Sequence, residues 1–415
     1  MILIESEASL TIMSNTNTYK LNKYAKKSSF LIICAQLILQ CFMVLNSNNT
    51  NLNNIILLLI AGLTIILFID QMKVVNAYNF IILLVTLVLM SIATILGSGG
   101  WGAMVNFIIL FLNLCIISQM RFSYKQIKIL SITFILFYLI ILFCSTKIGV
   151  YYVNTDSFNF RINPNIMGYL TLLFAYFSIN LLKLKSKKNK ISIFKIIIIA
   201  IIISMMILST ESRTSLMAFI LYIVLIFFGK DIRKNIMKKK KKYRWIGAVI
   251  VITFVAVITY SYFLPLYFEG KSIIILGKNI FSGRQVIWAE IFQLIRENWM
   301  IGVGSNFAFM NGELYSAHNF FLGFAATFGV PVMACVIILL YRIFKDYYMR
   351  NNNINSVDLI YIWICLLIVS IFETVLSYNI VTIFAVLTFI FNTNNLSQVR
   401  SEKNDTKSNS LLLVR

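Results

Sequence analysis

Residues 78–97 read YNFIILLVTLVLMSIATILG, a stretch that contains no charged side chain. A helix of about 20 residues rises about 30 Å, which matches the thickness of the hydrocarbon core of a bilayer. The stretch is therefore predicted to cross a membrane as an α-helix.

Apolar runs of this kind recur along the whole chain of 415 residues, separated by short polar segments. They predict an all-α, polytopic membrane protein of about twelve transmembrane helices. The predicted spans are 28–45, 55–70, 78–97, 102–119, 127–146, 164–182, 191–209, 212–229, 245–264, 317–341, 357–376 and 378–392.

The composition agrees with this prediction. Charged residues make up 13% of the chain and apolar residues 59%, whereas a soluble domain carries about 25% charged residues. A net charge of +22 could suggest nucleic-acid binding, but the basic residues lie in short loops between apolar runs. We therefore expect the densest of them, Lys238 to Lys242, to anchor the protein on the inner side and attract anionic membrane lipid, and we expect no nucleic-acid partner.

The distribution of Lys and Arg also predicts the orientation. With the N-terminus in the cytoplasm and every run crossing, only seven of the 37 basic residues face outward. These seven are Lys147, Arg161, Arg213, Lys271, Lys278, Arg284 and Arg296. The predicted division of this plasma-membrane protein is a cytoplasmic tail (1–27), spans 1–9 (28–264), a large extracytoplasmic loop (265–316), spans 10–12 (317–392) and a cytoplasmic tail (393–415).

The large external loop is predicted to contain an amphipathic helix. Ser282 and Gln285 match a capping box at its start, and apolar residues including Trp288 then recur at helical spacing. Such a helix would lie along the membrane surface or pack on the bundle of spans. Further along, Gly302 and Gly304 lack the strand context of a dinucleotide site, so they are predicted to form a backbone turn.

The outward-facing ionisable residues are few, and four of them lie at helix N-termini. They are Arg161 before span 6, Arg213 at span 8, Arg284 in the external helix and His318 at span 10. Free N–H groups and the positive end of the helix dipole make each N-terminus an anion site, and arginine adds a permanent charge. If the four ends converge, they would suit a diphosphate.

Each of these residues also has an ordinary alternative role. His318 could be an interfacial histidine bonded to a backbone carbonyl, and Arg213 could pair with Glu211 or anchor the span. Arg161 could be a surface anchor. Glu373 falls inside span 11, where an ion pair within the bundle would account for it, and it is given no functional role.

Several motifs together resemble the signature of the O-antigen ligase and Wzy-type polysaccharide polymerase superfamily, over about residues 160–341. They are Arg284 with Trp288, Gly302-Val303-Gly304, His318-Asn319-Phe320-Phe321-Leu322, Gly329, Ser212-Arg213 and Asn163-Pro164-Asn165.

The resemblance implies a membrane glycosyltransferase with a GT-C-like helical fold. Such an enzyme takes a glycan from a polyprenyl-diphosphate carrier on the outer face of the plasma membrane and transfers it with inversion, without a metal or other cofactor. By resemblance, Arg213, Arg284 and Arg161 would bind the diphosphate and His318 would assist the acceptor hydroxyl. Supporting positions are Asn319, Glu211 and Trp288.

Three functions remain to be compared. A polymerase joins lipid-linked repeat units into capsule, exopolysaccharide or O-antigen, whereas a ligase moves a finished glycan to another acceptor; both would use this site. A transporter of lipid-linked oligosaccharide should show deep charges and internal repeats, and the sequence has few of the former and no clear repeat. A flippase and a chain-length regulator are further expected partners of a polymerase.

Overall fold

The computed structural model describes residues 27–45, 49–97, 101–148, 164–185, 193–210, 212–238, 244–267, 274–275, 278–279, 284–304, 317–350, 356–374, 376 and 379–391. Within these ranges the chain is almost entirely helical. The helices are α1 (Lys27–Leu45), α2 (Thr50–Gln71), α3 (Ala77–Leu96), α4 (Trp101–Ile117), α5 (Tyr124–Ile148), α6 (Pro164–Lys185), α7 (Ile193–Ser209), α8 (Arg213–Lys238), α9 (Arg244–Ile258), α10 (Leu264–Tyr267), α11 (Arg284–Glu297), α12 (Phe320–Phe328), α13 (Val330–Arg350), α14 (Ser356–Phe372) and α15 (Asn379–Leu387).

Shorter elements complete the description. A π-helical turn, Thr259–Phe263, joins α9 to α10, and 3-10 turns cover Met72–Val74 and Thr388–Phe391. Ile274–Ile275 and Lys278–Asn279 form a small antiparallel hairpin. A π turn inserts an extra residue into a helix and often occurs at functional sites.

In the described part of the chain, six helical segments are long and apolar enough to cross a membrane: Lys27–Val44, Thr50–Gln71, Ala77–Leu96, Tyr124–Phe143, Asn165–Lys183 and Arg244–Tyr267. Shorter apolar helices are Trp101–Ile117, Ile193–Ser209, Arg213–Gly229 and Asp358–Phe372. Large apolar side chains such as Leu58, Ile81, Ile202 and Phe228 lie exposed on these helices. That surface suits lipid and would aggregate in water, so the polytopic membrane architecture is supported, while the count of twelve spans stays a prediction.

The largest difference between the predicted spans and the helices of the structure lies in span 10. Residues 317–341 are not one helix, because α12 ends at Phe328, Gly329 follows with a φ of 88°, and α13 begins at Val330. Phe321 from the start of α12 lines the same cavity as Ile337 and Leu340 from the middle of α13. The two helices are therefore not collinear, and the chain turns between them at Gly329.

The chain breaks at Gly329 because another segment bonds to the backbone there. The amides of Val303 and Gly304 donate to the carbonyls of Ala326 and Thr327 at the end of α12, over 2.8 and 3.1 Å. Gly302 and Gly304 have φ values of 77° and 85°, a region that favours glycine. The predicted turn at these glycines therefore exists, and it caps the end of α12.

The amphipathic helix of the external loop is present as α11, and it packs on the bundle. Trp288 and Ile291 are buried on its inner face, and Tyr262 of the π turn contacts Phe292 with ring centroids 5.1 Å apart. The predicted N-cap, Ser282, lies outside the described residues.

Candidate functional site

The carboxylate of Glu373 is the point at which three predicted motifs meet. Its Oε1 accepts hydrogen bonds from Asn165 Nδ2 at 2.9 Å and from Arg284 Nη2 at 2.5 Å. Its Oε2 lies 3.1 Å from His318 Nδ1. These partners are 55 to 208 residues away in sequence, so three distant parts of the chain converge on one buried side chain.

Glu373 follows the last residue of α14, not the interior of a span. Its N–H still bonds to the carbonyl of Val369 at 3.0 Å, so it continues the helical hydrogen bonding by one step. Predicted span 11 extended to 376, whereas the helix ends at Phe372. The chain leaves the helix where the Glu373 carboxylate is held by its partners.

Arg284 connects the start of α11 to the end of α14. Besides its ion pair with Glu373, its Nη1 donates to the carbonyl of Phe372 at 2.7 Å. An arginine at a helix N-terminus opposes the positive end of the dipole, which predicts a neighbouring anion. In the structure that anion is Glu373, and the negative C-terminal end of α14 contributes as well.

His318 lies just before α12, not in its first turn. Asn319 is the N-cap: its Oδ1 accepts from the amide of Leu322 at 3.1 Å, and its Nδ2 donates to Ser261 Oγ in the π turn at 3.0 Å. His318 has a φ of 45°, which is uncommon for a residue other than glycine, and such strain persists where surrounding contacts hold it. About a third of its side chain is exposed, against 5% for Glu373, so part of the ring remains accessible.

Trp288 holds the backbone of this strained segment through a buried hydrogen bond. Its side chain is fully buried, and its indole N–H donates to the carbonyl of Ala317, directly before His318, at 3.0 Å. The ring of Tyr260 packs edge-on against Trp288 and against Phe372, with centroids 5.2 and 4.6 Å apart. Trp288 thus contacts the backbone next to His318, and its predicted supporting role stays a prediction.

Arg213 is the first residue of α8 and is partly buried. The starts of α6 and α8 approach each other closely, since a Cβ on Gly168 would overlap the side chains of Ser212 and Ser215. Asn165 at the start of α6, Arg284 at the start of α11 and His318 just before α12 all contact Glu373. The N-terminal ends of α6, α8, α11 and α12 therefore face one region. Two other predicted residues, Arg161 and Glu211, lie outside the described residues.

Residues 198–337 match a family model described as O-antigen ligase. This segment, from Ile198 to Ile337, is similar to the O-antigen ligase family. The match contains Arg213, Arg284 and His318 and confirms the resemblance to the O-antigen ligase and Wzy-type superfamily. No curated protein and no solved structure matches the chain.

The similarity to the O-antigen ligase family supports a function of the ligase or polymerase type in general, carried out by a glycosyltransferase-like enzyme. The family implies lipid-linked glycan substrates. Together with the apolar helices, it suggests a multi-pass protein of the plasma membrane.

Sequence reasoning gave no functional role to Glu373 and named Asn165 only as part of the motif Asn163-Pro164-Asn165; both residues lie outside the matched segment. The sequence did contain a chemical signal that Glu373 has a partner or a function. A carboxylate within an apolar run is expensive to bury and marks a partner or a functional site. Asking which outward-facing hydrogen-bond donors could pair with Glu373 would have placed Arg284 and His318 among the candidates.

Proposed function

We propose that the protein is a membrane glycosyltransferase that polymerises polyprenyl-diphosphate-linked oligosaccharide repeat units on the outer face of the plasma membrane, in capsule, exopolysaccharide or O-antigen synthesis. The observation that carries the proposal is the joining of Arg284 and His318 through Glu373, since both residues lie in the segment that matches the O-antigen ligase family model. A GT-C-like arrangement of about twelve spans, with both termini in the cytoplasm, forms part of the proposal.

In the proposed mechanism, Arg213 and Arg284 hold the donor diphosphate. Arg284 has five N–H groups, and its contacts with Glu373 and Phe372 leave others for phosphate oxygens. Positive charge placed at the leaving group stabilises the negative charge that develops as its bond breaks. Arg161 is a proposed third contact. In the proposed reaction these cations stabilise the leaving-group charge that a metal ion stabilises in other enzymes, so the reaction is independent of metal.

His318 is the proposed general base. Its accessible ring nitrogen takes the proton of the acceptor hydroxyl, and the oxygen attacks the anomeric carbon of the donor sugar from the face opposite the diphosphate. The new carbon–oxygen bond forms as the bond to phosphate breaks, which inverts the configuration and releases the polyprenyl diphosphate. The proton on His318 then leaves to solvent or to the departing phosphate.

A ligase that transfers a finished glycan to another acceptor is the second candidate, because the family description itself names a ligase. The two candidates use the same chemistry and differ in the acceptor. For a polymerase the acceptor is another lipid-linked repeat unit, so the product grows in steps of one repeat.

The distinguishing experiment is reconstitution of the purified protein in proteoliposomes with one purified lipid-linked repeat unit. A polymerase gives a ladder of products, also in the presence of a metal chelator. A ligase gives no ladder from the repeat unit alone and transfers preformed polymer when a second acceptor is added. Protein that does neither, while remaining folded, would contradict the proposal.

A further inference from the structure

Glu373 is buried, and donors from three other parts of the chain converge on its two oxygens. We propose that Glu373 is a positioning residue that fixes the tautomer of His318 and the direction of the Arg284 guanidinium. The inference deepens the proposed function, since it rests on His318 acting as the base, but the ring state it predicts can be measured without any activity.

The tautomer follows from hydrogen-bond chemistry. An ionised carboxylate can only accept hydrogen bonds, and Oε2 of Glu373 lies 3.1 Å from Nδ1 of His318. The proton of the neutral ring therefore lies on Nδ1, and Nε2 carries the free electron pair. Nε2 lies across the ring from the carboxylate, and in this tautomer it is the nitrogen that can accept a proton.

Glu373 also balances charge. Arg284 is largely buried, with 18% of its side chain exposed, and a buried cation without its partner is strongly unfavourable. The pair keeps the guanidinium in place between the Glu373 carboxylate and the Phe372 carbonyl. One carboxylate thus orients both the proposed base and a proposed diphosphate ligand.

Replacement by glutamine gives a sharp test, because the two oxygens of Glu373 have unequal partners. Asn165 and Arg284 both donate to Oε1, so the single amide oxygen of Glu373→Gln should occupy that position. Its NH₂ group then faces Nδ1 of His318 and donates to it. The ring must accept there, which moves its proton to Nε2 and removes the free electron pair from the reacting side.

His318 is the only histidine of the protein, so labelling with ¹⁵N-histidine yields the spectrum of one ring. Full-length protein in nanodiscs should show a protonated Nδ1 in the wild type and a protonated Nε2 in Glu373→Gln. Glu373→Asp should keep the wild-type tautomer. Glu297→Gln, at the exposed end of α11, is the matched control and should leave the spectrum unchanged.

The same proteins are then assayed for transfer at saturating donor. Glu373→Gln should lower the rate by about 10²–10⁴-fold, since a base with the wrong tautomer loses its function, and Glu373→Asp should recover part of it. A wild-type ring protonated on Nε2 would overturn the inference, as would an unchanged tautomer or a rate within a few fold of wild type in Glu373→Gln. Wild-type protein with the expected ring state but no transfer would instead contradict the proposed function.

Discussion

The indole N–H of Trp288 is bonded to the carbonyl of Ala317, the residue before His318, at 3.0 Å. Because His318 has a φ of 45°, its backbone depends on such neighbours. We expect Trp288→Phe to preserve most of the buried ring packing but to leave a buried carbonyl unpaired, at a cost of about 1–3 kcal/mol. Transfer should fall at least several-fold, and thermal unfolding should shift to lower temperature.

Trp299→Phe is the control for that variant. The Trp299 side chain is exposed, and its contact with Val330 uses its backbone carbonyl. Both rate and unfolding temperature should stay near wild type. Equal effects of the two substitutions would show that the Trp288 hydrogen bond has no special role at the site.

Arg213→Ala and Arg284→Ala should each lose most polymer while the protein still accumulates in the membrane. Arg284→Lys should recover little, since one ammonium cannot reproduce separate contacts with Phe372 and Glu373. Polymer ladders and membrane abundance are the measurements. Arg296→Ala, at the exposed end of α11, is the control. Wild-type ladders from both Arg213→Ala and Arg284→Ala would reduce these residues to structural anchors.

Alanine at Gly302 or Gly329 should destabilise the junction of α12 and α13. Both glycines have a positive φ, and an added Cβ would overlap a carbonyl, that of Thr327 for Gly302 and that of Met300 for Gly329. Each substitution should cost more than about 1 kcal/mol. Thermal unfolding in detergent measures the loss.

Gly62→Ala supplies the contrast, because Gly62 lies inside α2 and an added Cβ meets nothing within 4 Å. Its unfolding temperature should stay the same or rise slightly. A loss as large as that of the other two variants would mean that general helix packing, not the junction, determines the result.

The positions of the helices could be predicted from sequence because each apolar run must satisfy its backbone groups internally in lipid. The break at Gly329 could not be found from hydropathy, since the apolar run continues from Phe320 into α13. Its cause is a distant contact, the bonding of residues 302–304 to the end of α12. A local signal did exist: Gly329 followed by Pro331 is a common way for one helix to end and the next to begin.

The site was predictable in part for the same reason. Arg284 and His318 could be selected as scarce outward-facing groups, but their shared contact with Glu373 depends on tertiary packing across 89 and 55 residues. The expected anion beside Arg284 was a substrate, whereas the folded chain itself provides one.

The predicted orientation can be tested with single cysteines at two exposed positions. Glu297→Cys should react with a membrane-impermeant thiol reagent in intact cells, because α11 is predicted to face outward. Lys73→Cys, in the turn Met72–Val74, should react only after permeabilisation. Wild-type protein, whose own cysteines lie in apolar runs, gives the background. The reverse labelling pattern would show that the orientation is opposite to the proposed one.

The last prediction separates the chemistry of His318 from its backbone. Alanine at this position would lose the imidazole and also occupy a left-handed conformation that it tolerates poorly, so a loss of activity in His318→Ala alone has two explanations. Asparagine adopts positive φ more readily but cannot take a proton. His318→Asn should therefore fold with near wild-type thermal stability, bind donor, and transfer about 10²–10⁴-fold more slowly. His318→Gln should fail as well, because an amide can bond to the acceptor hydroxyl without removing its proton.

Initial rates in proteoliposomes at saturating donor, with donor binding measured on the same samples, test both variants. Rates within a few fold of wild type in the asparagine and glutamine variants would show that His318 is an interfacial residue bonded to Glu373 and that another group activates the acceptor.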